Sequence, residues 1–438
     1  MLKNIFCSLF IIAISLPKIV LAGPGDIRGM STKDSGMALA SQISNPSSFS
    51  AKGNPALLPW SQKSISIESY SEVFWLQDAN VTSPNTTPLS GVAKDTRRAS
   101  QTKPQNNFGL GLSLPLSPQF AIGIAGRFPS DSVAKIHAFT QNEANYLHYN
   151  DRQARPEIYT AAGFKFSQYF SMGAGLYYAL KAKGTLQLGI SQTDAESRLF
   201  LELLPEFIPY IGSAFKFDLF NKQTTLGINY RMEQKAQSRI NVDLDFDVGI
   251  GTLPFSTSSE LVAFYDPAIL GIGITGEGKR IRPSFSYEWS RWSKYKEPVM
   301  SLTGKDLDTL NQGKSLATNI QLRDTHSIRI GAELPDIYEK LENKITLRTG
   351  IEFHTSAVDE NTNNLTVVDS DKLGANIGVS WKRLALKPFI VSPLSFDAAL
   401  KYMHLLETDF SDQNKTQHRR SKSGGEVAAI LFGVTFDI

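Results

Sequence analysis

Residues 271–292 read GIGITGEGKRIRPSFSYEWSRW. Gly271, Gly273 and Gly276 fit GxGxxG, and Gly273 to Lys279 fits GxxxxGK, so the stretch offers itself as a phosphate loop or as a hairpin. A phosphate loop needs a buried strand before the glycines and a helix after them, whose N-terminal amides hold the anion. Arg280 stands where Ser or Thr would reach magnesium, and Ile281 to Tyr287 is broken by Pro283 and is no amphipathic helix. Before the turn, Leu270, Ile272 and Ile274 alternate with Ile269, Gly271, Gly273 and Thr275, a period of two. The stretch is read as two strands joined by a turn at Gly276 to Lys279.

The same alternation recurs. Ile328, Ile330, Ala332 and Leu334 oppose Ser327, Arg329, Gly331 and Glu333; Ile345, Leu347, Ile351 and Phe353 oppose Lys344, Arg348, Gly350, Glu352 and His354. Leu373, Ala375, Ile377, Val379 and Trp381 oppose Gly374, Asn376, Gly378 and Ser380, and Ile430, Phe432, Val434, Phe436 and Ile438 oppose Leu431, Gly433, Thr435 and Asp437. Faces carrying that much charge do not form the core of a soluble sandwich. They suit a water-filled lumen, with the apolar faces turned to lipid.

The rest of the chain bounds the answer. Residues 1–22 have a basic start at Lys3, an apolar run from Ile5 to Ile14 and the small-residue site Val20-Leu21-Ala22, the pattern of a secretory signal peptide. Cys7, the single cysteine of the chain, falls within it, so no disulfide is expected in the secreted part. Removing Lys3 and Lys18 leaves 43 basic against 42 acidic residues, which argues against a nucleic-acid partner. No apolar run after residue 22 reaches the roughly 20 residues of a membrane-spanning helix.

Fourteen strands are read, at 62–76, 107–116, 119–128, 157–167, 169–182, 212–220, 223–247, 257–276, 279–296, 323–335, 343–355, 371–383, 394–404 and 426–438. The connections between them alternate long and short, the rhythm of external loops and periplasmic turns in an antiparallel transmembrane β-barrel. Residues 23–60, rich in Gly, Ser, Asn and Pro, precede the first strand and do not alternate. They are read as an N-terminal hatch plugging the lumen, and residues 61–438 as the barrel.

With those elements in place, the chain resembles the FadL/TodX family of outer-membrane transporters for long-chain fatty acids and aromatic hydrocarbons. The resemblance runs over the whole secreted part and rests on NPALL at 54–58, SPQFAIGIAGRF at 117–128, LGINYR at 226–231, EWSRWSKY at 288–295 and VDSDK at 368–372. It implies an all-β, fourteen-stranded barrel closed by a hatch whose signature is Asn54, Pro55 and Ala56. It also implies passive uptake: capture among external loops, a lumen pocket, and lateral exit where the third strand, with Phe120, Gly123 and Gly126, kinks inward. The monomer is implied likewise, as is insertion by the barrel-assembly machinery, for which Phe432 and Phe436 keep the terminal alternation although the chain ends in Ile438.

Several residues have two readings each. Leu199, Phe200, Leu203, Leu204, Phe207 and Ile208, in the long fifth connection, are too apolar for a solvated loop and are read as a ligand groove. Trp289 and Trp292 serve as interfacial anchors or line the pocket. Tyr230 and Arg231 end the Gly-x-x-Tyr-Arg motif, where the guanidinium meets either a ligand carboxylate or a lumen partner. Asp369 and Asp371 read as loop-capping acids before a metal site, since no His or acidic partner stands near them in sequence. Asn54 bonds a turn or forms a hinge.

No cofactor and no metal are expected: the six histidines are scattered, without HExxH, and no GxSxG occurs. A catalytic function is not expected, with His354 and His404 the only plausible bases for one. The leading function is a channel for hydrophobic molecules, most of all long-chain fatty acids, delivering them to outer-membrane lipid. An aromatic-hydrocarbon or other lipophile channel is the runner-up, and a surface adhesin or phage receptor comes from another class.

Overall fold

The computed structural model describes residues 29–77, 79, 104–130, 145–149, 155–190, 195–247, 252–295, 301–303, 321–340, 343–362, 365, 367–383, 393–412 and 420–438. The signal peptide reading and residues 23–28 lie outside this set. Fourteen strands form the wall: β1 Ser64–Leu76, β2 Gln105–Pro115, β3 Phe120–Pro129, β4 Glu157–Ser167, β5 Phe170–Ile190, β6 Ala195–Leu219, β7 Lys222–Arg231, β8 Ile269–Gly276, β9 Arg282–Ser290, β10 Thr325–Lys340, β11 Asn343–His354, β12 Lys372–Arg383, β13 Leu394–Asp412 and β14 Arg420–Asp437. Each pairs antiparallel with the next, and β14 returns to β1 from Ser64↔Asp437 to Leu76↔Gly425, so the sheet has no free edge at membrane level. Closure satisfies every ladder without water, which is why a barrel can stand in lipid.

Alternation sets the two surfaces. Along β12, Leu373, Ala375, Ile377, Val379 and Trp381 lie outward, while Lys372, Gly374, Asn376, Gly378 and Ser380 are buried inward. The inward charges are paired: Arg329 with Glu288 at 2.5 Å, Arg348 with Glu333 at 2.8 Å and Lys401 with Glu352 at 2.8 Å. At the periplasmic end the outward rings of Phe164, Phe166, Phe170 and Phe215 form a chain of close contacts, a girdle at the lipid interface.

The structure revises four sequence readings. The single run 223–247 is two strands, β7 and an external strand Gln234–Asp247, and 257–276 divides likewise into Thr252–Asp266 and β8. The ninth strand stops at Ser290 and gives way to a single helical turn, Trp292–Lys294. The fifth connection is not a loop: 198–211 lies within β6, paired with β5 from Ile190↔Ala195 downward. Pro205 and Pro209 stand opposite Leu180 and Leu176 of β5, whereas β7 on the other side of β6 reaches only Tyr210. The hairpin rises beyond the ring, and β5 there takes a parallel partner, 239–246 against 183–190.

The expected exit strand is β3. It is bonded without register shift to β2, from Pro115↔Ala121 to Asn107↔Pro129, and to β4, from Phe120↔Phe164 to Arg127↔Glu157. Neither ladder is interrupted at Gly123 or Gly126, where the resemblance places the exit. Gly126 lies on the outward side, where a Cβ would meet the Phe128 ring at 2.8 Å.

Residues 29–60 lie inside the ring. They comprise α1 Thr32–Ser35, α2 Ser50–Gly53 and a 3-10 segment Pro55–Trp60. Ser31 caps α1, its Oγ accepting from the Asp34 amide at 3.2 Å. The segment touches the wall on many sides: Phe49 over Gly111, Leu58 over Gly123, Pro55 over Gly173, Ile43 over Gly227 and Met37 over Gly350. This answers the question raised by residues 271–292. Gly271 and Gly273 make room for Ile43, whose atoms would lie 2.6 and 2.9 Å from a Cβ at those positions.

Candidate functional site

Asn54-Pro55-Ala56 forms the firmest seat between the inner segment and the wall. Asn54 is fully buried in an extended conformation; its Oδ1 accepts from the Ala56 amide at 3.0 Å, and its Nδ2 donates to the carbonyls of Ile43 and Ser213, both at 3.0 Å. Ser171 Oγ donates to the Ala56 carbonyl at 2.6 Å, and Tyr210 donates to the Ala51 carbonyl. One side chain thus joins two turns of the inner segment to β6.

Above this seat the lumen between β3 and β7 holds aromatic rings and cations. Tyr159 and Tyr177 stack with centroids 4.6 Å apart, and Tyr210 meets Tyr159 edge-on at 5.9 Å. Arg231 Nη1 donates to the Tyr159 hydroxyl at 2.9 Å and lies 5.4 Å from the Tyr177 ring, while Lys52 approaches the Tyr159 ring at 6.0 Å. Arg127 pairs with Glu157, and Arg155 with Asp266, which also accepts from Tyr177. Phe49, Ala51, Leu58, Ala121, Ala125 and Ile208 supply the apolar floor. Sequence reasoning found Arg231 and Ile208 but missed the tyrosines, Lys52, Arg127, Glu157, Arg155 and Asp266. Their signal was available in part, since Tyr159 and Tyr177 sit at inward positions of β4 and β5; that they face each other depends on the β4–β5 register, Tyr159↔Tyr177.

The mouth is covered by a second apolar cluster drawn from the external connections and upper strand ends, including Phe74, Tyr146, Tyr265, Leu365 and Val368. Trp292 is 2% exposed and belongs to it, with His148 edge-on at 5.8 Å and Tyr265 at 5.6 Å, so it is not a girdle anchor. Trp289 keeps the outward parity but is packed against Ala268, Leu270 and Tyr287. Asp369 and Asp371 hold this cover. Asp369 accepts from Lys372 Nζ at 2.7 Å and the Ala357 amide at 3.0 Å and lies 3.4 Å from His148 Nε2; Asp371 accepts from the Ser356 amide at 2.7 Å. Burial by itself would raise the Asp369 carboxyl, but Lys372 and His148 beside it carry it well below the usual carboxylate range.

The remaining sequence candidates are dispersed. Tyr230 points outward and Phe207 is 59% exposed; Leu204 is half-buried, and Ile208 faces the lumen. The side chains of Leu199, Phe200 and Leu203 lie outside the described set. Phe120 is on the outward face of β3 and Gly123 on the inward face, beneath Leu58.

A closed ring of fourteen antiparallel strands, apolar outside, charged inside and occupied by its own N-terminal segment, defines an outer-membrane transport barrel. The profile described as outer membrane protein transport protein (OMPP1/FadL/TodX) matches residues 209–438, more than half of the chain, and the chain belongs to this FadL/TodX family. A "47 kDa outer membrane protein" of Pasteurella multocida is 33% identical over 104 residues, 24% of this chain and 21% of that protein; the match thus spans about a fifth of the relative's length. Among solved structures, a Pseudomonas aeruginosa FadL homologue superposes with a TM-score of 0.62 at 15% identity, over 96% of this chain and 100% of that one. The CymD monoaromatic hydrocarbon channel gives 0.53 at 14% identity over 94% and 98%. The Ralstonia pickettii toluene transporter TbuX gives 0.51 at 15% over 94% and 100%. These likenesses concern the fold.

Proposed function

We propose that this chain is a passive outer-membrane channel for hydrophobic molecules whose preferred cargo is a long-chain fatty acid. The observation that supports a carboxylate over a plain hydrocarbon is Arg127. It is 3% exposed and pairs with Glu157 through Nη2, while its Nε and Nη1 make no hydrogen bond to the described protein. A guanidinium presents donors in a fork that matches a carboxylate. Arg231 and Lys52 lie against the same tyrosines, and Ile208 and Leu58 offer surface on which each buried CH₂ contributes about 0.8 kcal/mol.

In this reading residues 23–60 act as a hatch, and Asn54-Pro55-Ala56 as its pivot. The tall β5–β6 hairpin, with Leu199, Phe200, Leu203, Leu204 and Phe207, collects cargo. Outlet to lipid lies at β3 beside Phe120, Gly123 and Gly126; because both ladders of β3 are intact, it requires that strand to part from a neighbour. The barrel acts as a monomer after insertion by the assembly machinery. The second reading, an aromatic-hydrocarbon channel, is favoured by the Tyr159–Tyr177 stack, which would bind a flat ring by its face.

The test is uptake of radiolabelled oleate and of toluene by cells having this chain as their one hydrophobic channel, wild type against Arg127→Ala. Oleate uptake is expected to fall about tenfold in the variant, equivalent to about 1.4 kcal/mol, with toluene uptake unchanged. Wild-type cells that take up toluene but no oleate would reverse the ranking of the two readings.

A further inference from the structure

On β5 and β6 the lipid-facing side of the wall does not stop at the top of the ring. Met172, Leu176, Phe207 and Ile211 are exposed on it. The β4–β5 ladder ends at Ile158↔Tyr178, but β5 and β6 stay paired without a register shift up to Ile190↔Ala195, so alternation carries the same face upward. Every second residue of β5 from Met172 to Ile190, and of β6 from Phe215 up to Leu199, belongs to that face, and not one of them is charged. At about 3.3 Å per residue and a tilt of about 40°, the run on β5 rises about 45 Å along the membrane normal, against an apolar band of about 25 Å in such barrels. The outward run of β12, Leu373 to Trp381, rises about 20 Å on the same terms and fits within the band.

Two external strands broaden the excess. Gln234–Asp247 runs parallel to β5, with Leu186↔Val242, Leu188↔Leu244 and Ile190↔Phe246, and Thr252–Asp266 extends the sheet, with Phe255↔Leu244 and Leu253↔Phe246. Paired residues share a face, so the outward side of these four strands is apolar. The other side places Glu202 opposite Lys183 and Glu260 opposite Arg239. This is the pattern of the wall itself, polar toward the lumen and apolar away from it, carried above the ring. We infer that the outward face of the external sheet, around Leu186, Leu188, Val242 and Leu244, is a lipid-contact surface seated on the acyl chains of the outer leaflet. Continuity names the occupant, since this face forms one strip with the wall that stands in lipid. A second copy of the chain fits less well: four strands about 4.8 Å apart and eight residues long present roughly 450 Å², little more than half of what each partner buries in a standard interface. An apolar stretch taller than the bilayer is met by inclination or by local thickening of the lipid, and both put these residues among acyl chains. The inference does not depend on which hydrophobic cargo is carried. It assigns Leu199, Leu203 and Phe207 to the lipid side of the hairpin and leaves Phe200 and Leu204 on the side of the mouth.

The test is the collision of nitroxide spin labels with oxygen, which concentrates in lipid, and with a water-soluble nickel chelate. The full barrel is reconstituted in dioleoylphosphatidylcholine vesicles, with folding checked by heat-modifiable migration. Cys7 is the single cysteine of the chain, so in a Cys7→Ser background each introduced thiol is labelled alone. Leu188→Cys and Leu244→Cys report on the outward face, Gln187→Cys and Asp243→Cys on the opposite one, and Ile377→Cys on the wall of β12. The oxygen-to-nickel collision ratio at Leu188 and Leu244 is expected to be several-fold above that at Gln187 and Asp243 and to approach that at Ile377. Equal ratios on the two faces overturn the inference, because the sheet would then stand in one medium on both sides. Labels at Leu188 and Leu244 that are shut off from both reagents overturn it as well, and a crosslinked dimer in that case would make a second copy the occupant. Oleate uptake is a separate readout and bears on the cargo alone.

Discussion

The carbonyl oxygen of Ile43 lies against Gly227 so closely that a Cβ on Gly227 would sit 1.9 Å from it. No side-chain rotation relieves that contact, because both partners are backbone. Gly227→Ala is therefore expected to unseat residues 29–60 or to cost about 1–3 kcal/mol of overpacking. Limited proteolysis from the periplasmic side reads the result: cleavage within the inner segment with the barrel still heat-modifiable. Wild-type resistance in the variant would show that the segment does not rest on β7 as described.

Asn54→Ala removes an acceptor for the Ala56 amide and a donor to Ile43 and Ser213, leaving buried groups without partners. A cost of about 1–3 kcal/mol is expected, with accelerated hydrogen exchange at Ala56 and along Pro55–Trp60. Asn54→Asp keeps the acceptor and loses the donor. It is expected to restore protection at Ala56 but not the link to β6.

Gly123 and Gly126 lie three residues apart on opposite faces of β3, so the same substitution separates two roles. A side chain on Gly123 meets Leu58, with Cδ2 at 2.5 Å from the Cβ position, whereas one on Gly126 meets the lipid-side Phe128. Gly123→Val is expected to be the more harmful, by about 1–3 kcal/mol, and Leu58→Ala in the same chain is expected to recover most of the loss. Chemical denaturation in detergent measures the cycle, and additive effects would show that the two residues are not in contact.

Asp369 gives the external cover a dependence on acid. Its carboxyl is depressed in the folded chain, so its contribution is present above the unfolded value of about 3.9 and is lost as pH falls below that. Hydrogen exchange at Ala357, whose amide bonds Asp369, is expected to stay slow at neutral pH and quicken below about pH 4. Asp369→Asn leaves Lys372 buried opposite a neutral group and is expected to loosen the cover by about 3–5 kcal/mol at neutral pH. Unchanged exchange at Ala357 in that variant would contradict the assigned role.

How far the sequence was legible follows from what repeats along it. Leu373 to Trp381 and Ile430 to Ile438 show their outward faces directly, because alternation is a property of the single strand. Where the pattern breaks, the reading stops short: the upper half of β6 is strand, held by β5 as far as Ile190↔Ala195, but its apolar run from Leu199 to Leu204 has no period of two. Trp292 resembled a girdle residue by type and position, yet the turn after Ser290 folds it into the cover.

Sequence alone thus determined the barrel, its strand number and the presence of a non-alternating segment before β1, since each depends on period two and on spacing. Only the tertiary structure decided what the inward faces meet: that Gly271 and Gly273 accommodate Ile43, that Gly123 lies under Leu58, and that Tyr159, Tyr177, Arg127 and Arg231 share one chamber. Those residues stand on different strands or on the inner segment. Their meeting depends on ring closure and register, which bring together positions that no local pattern relates.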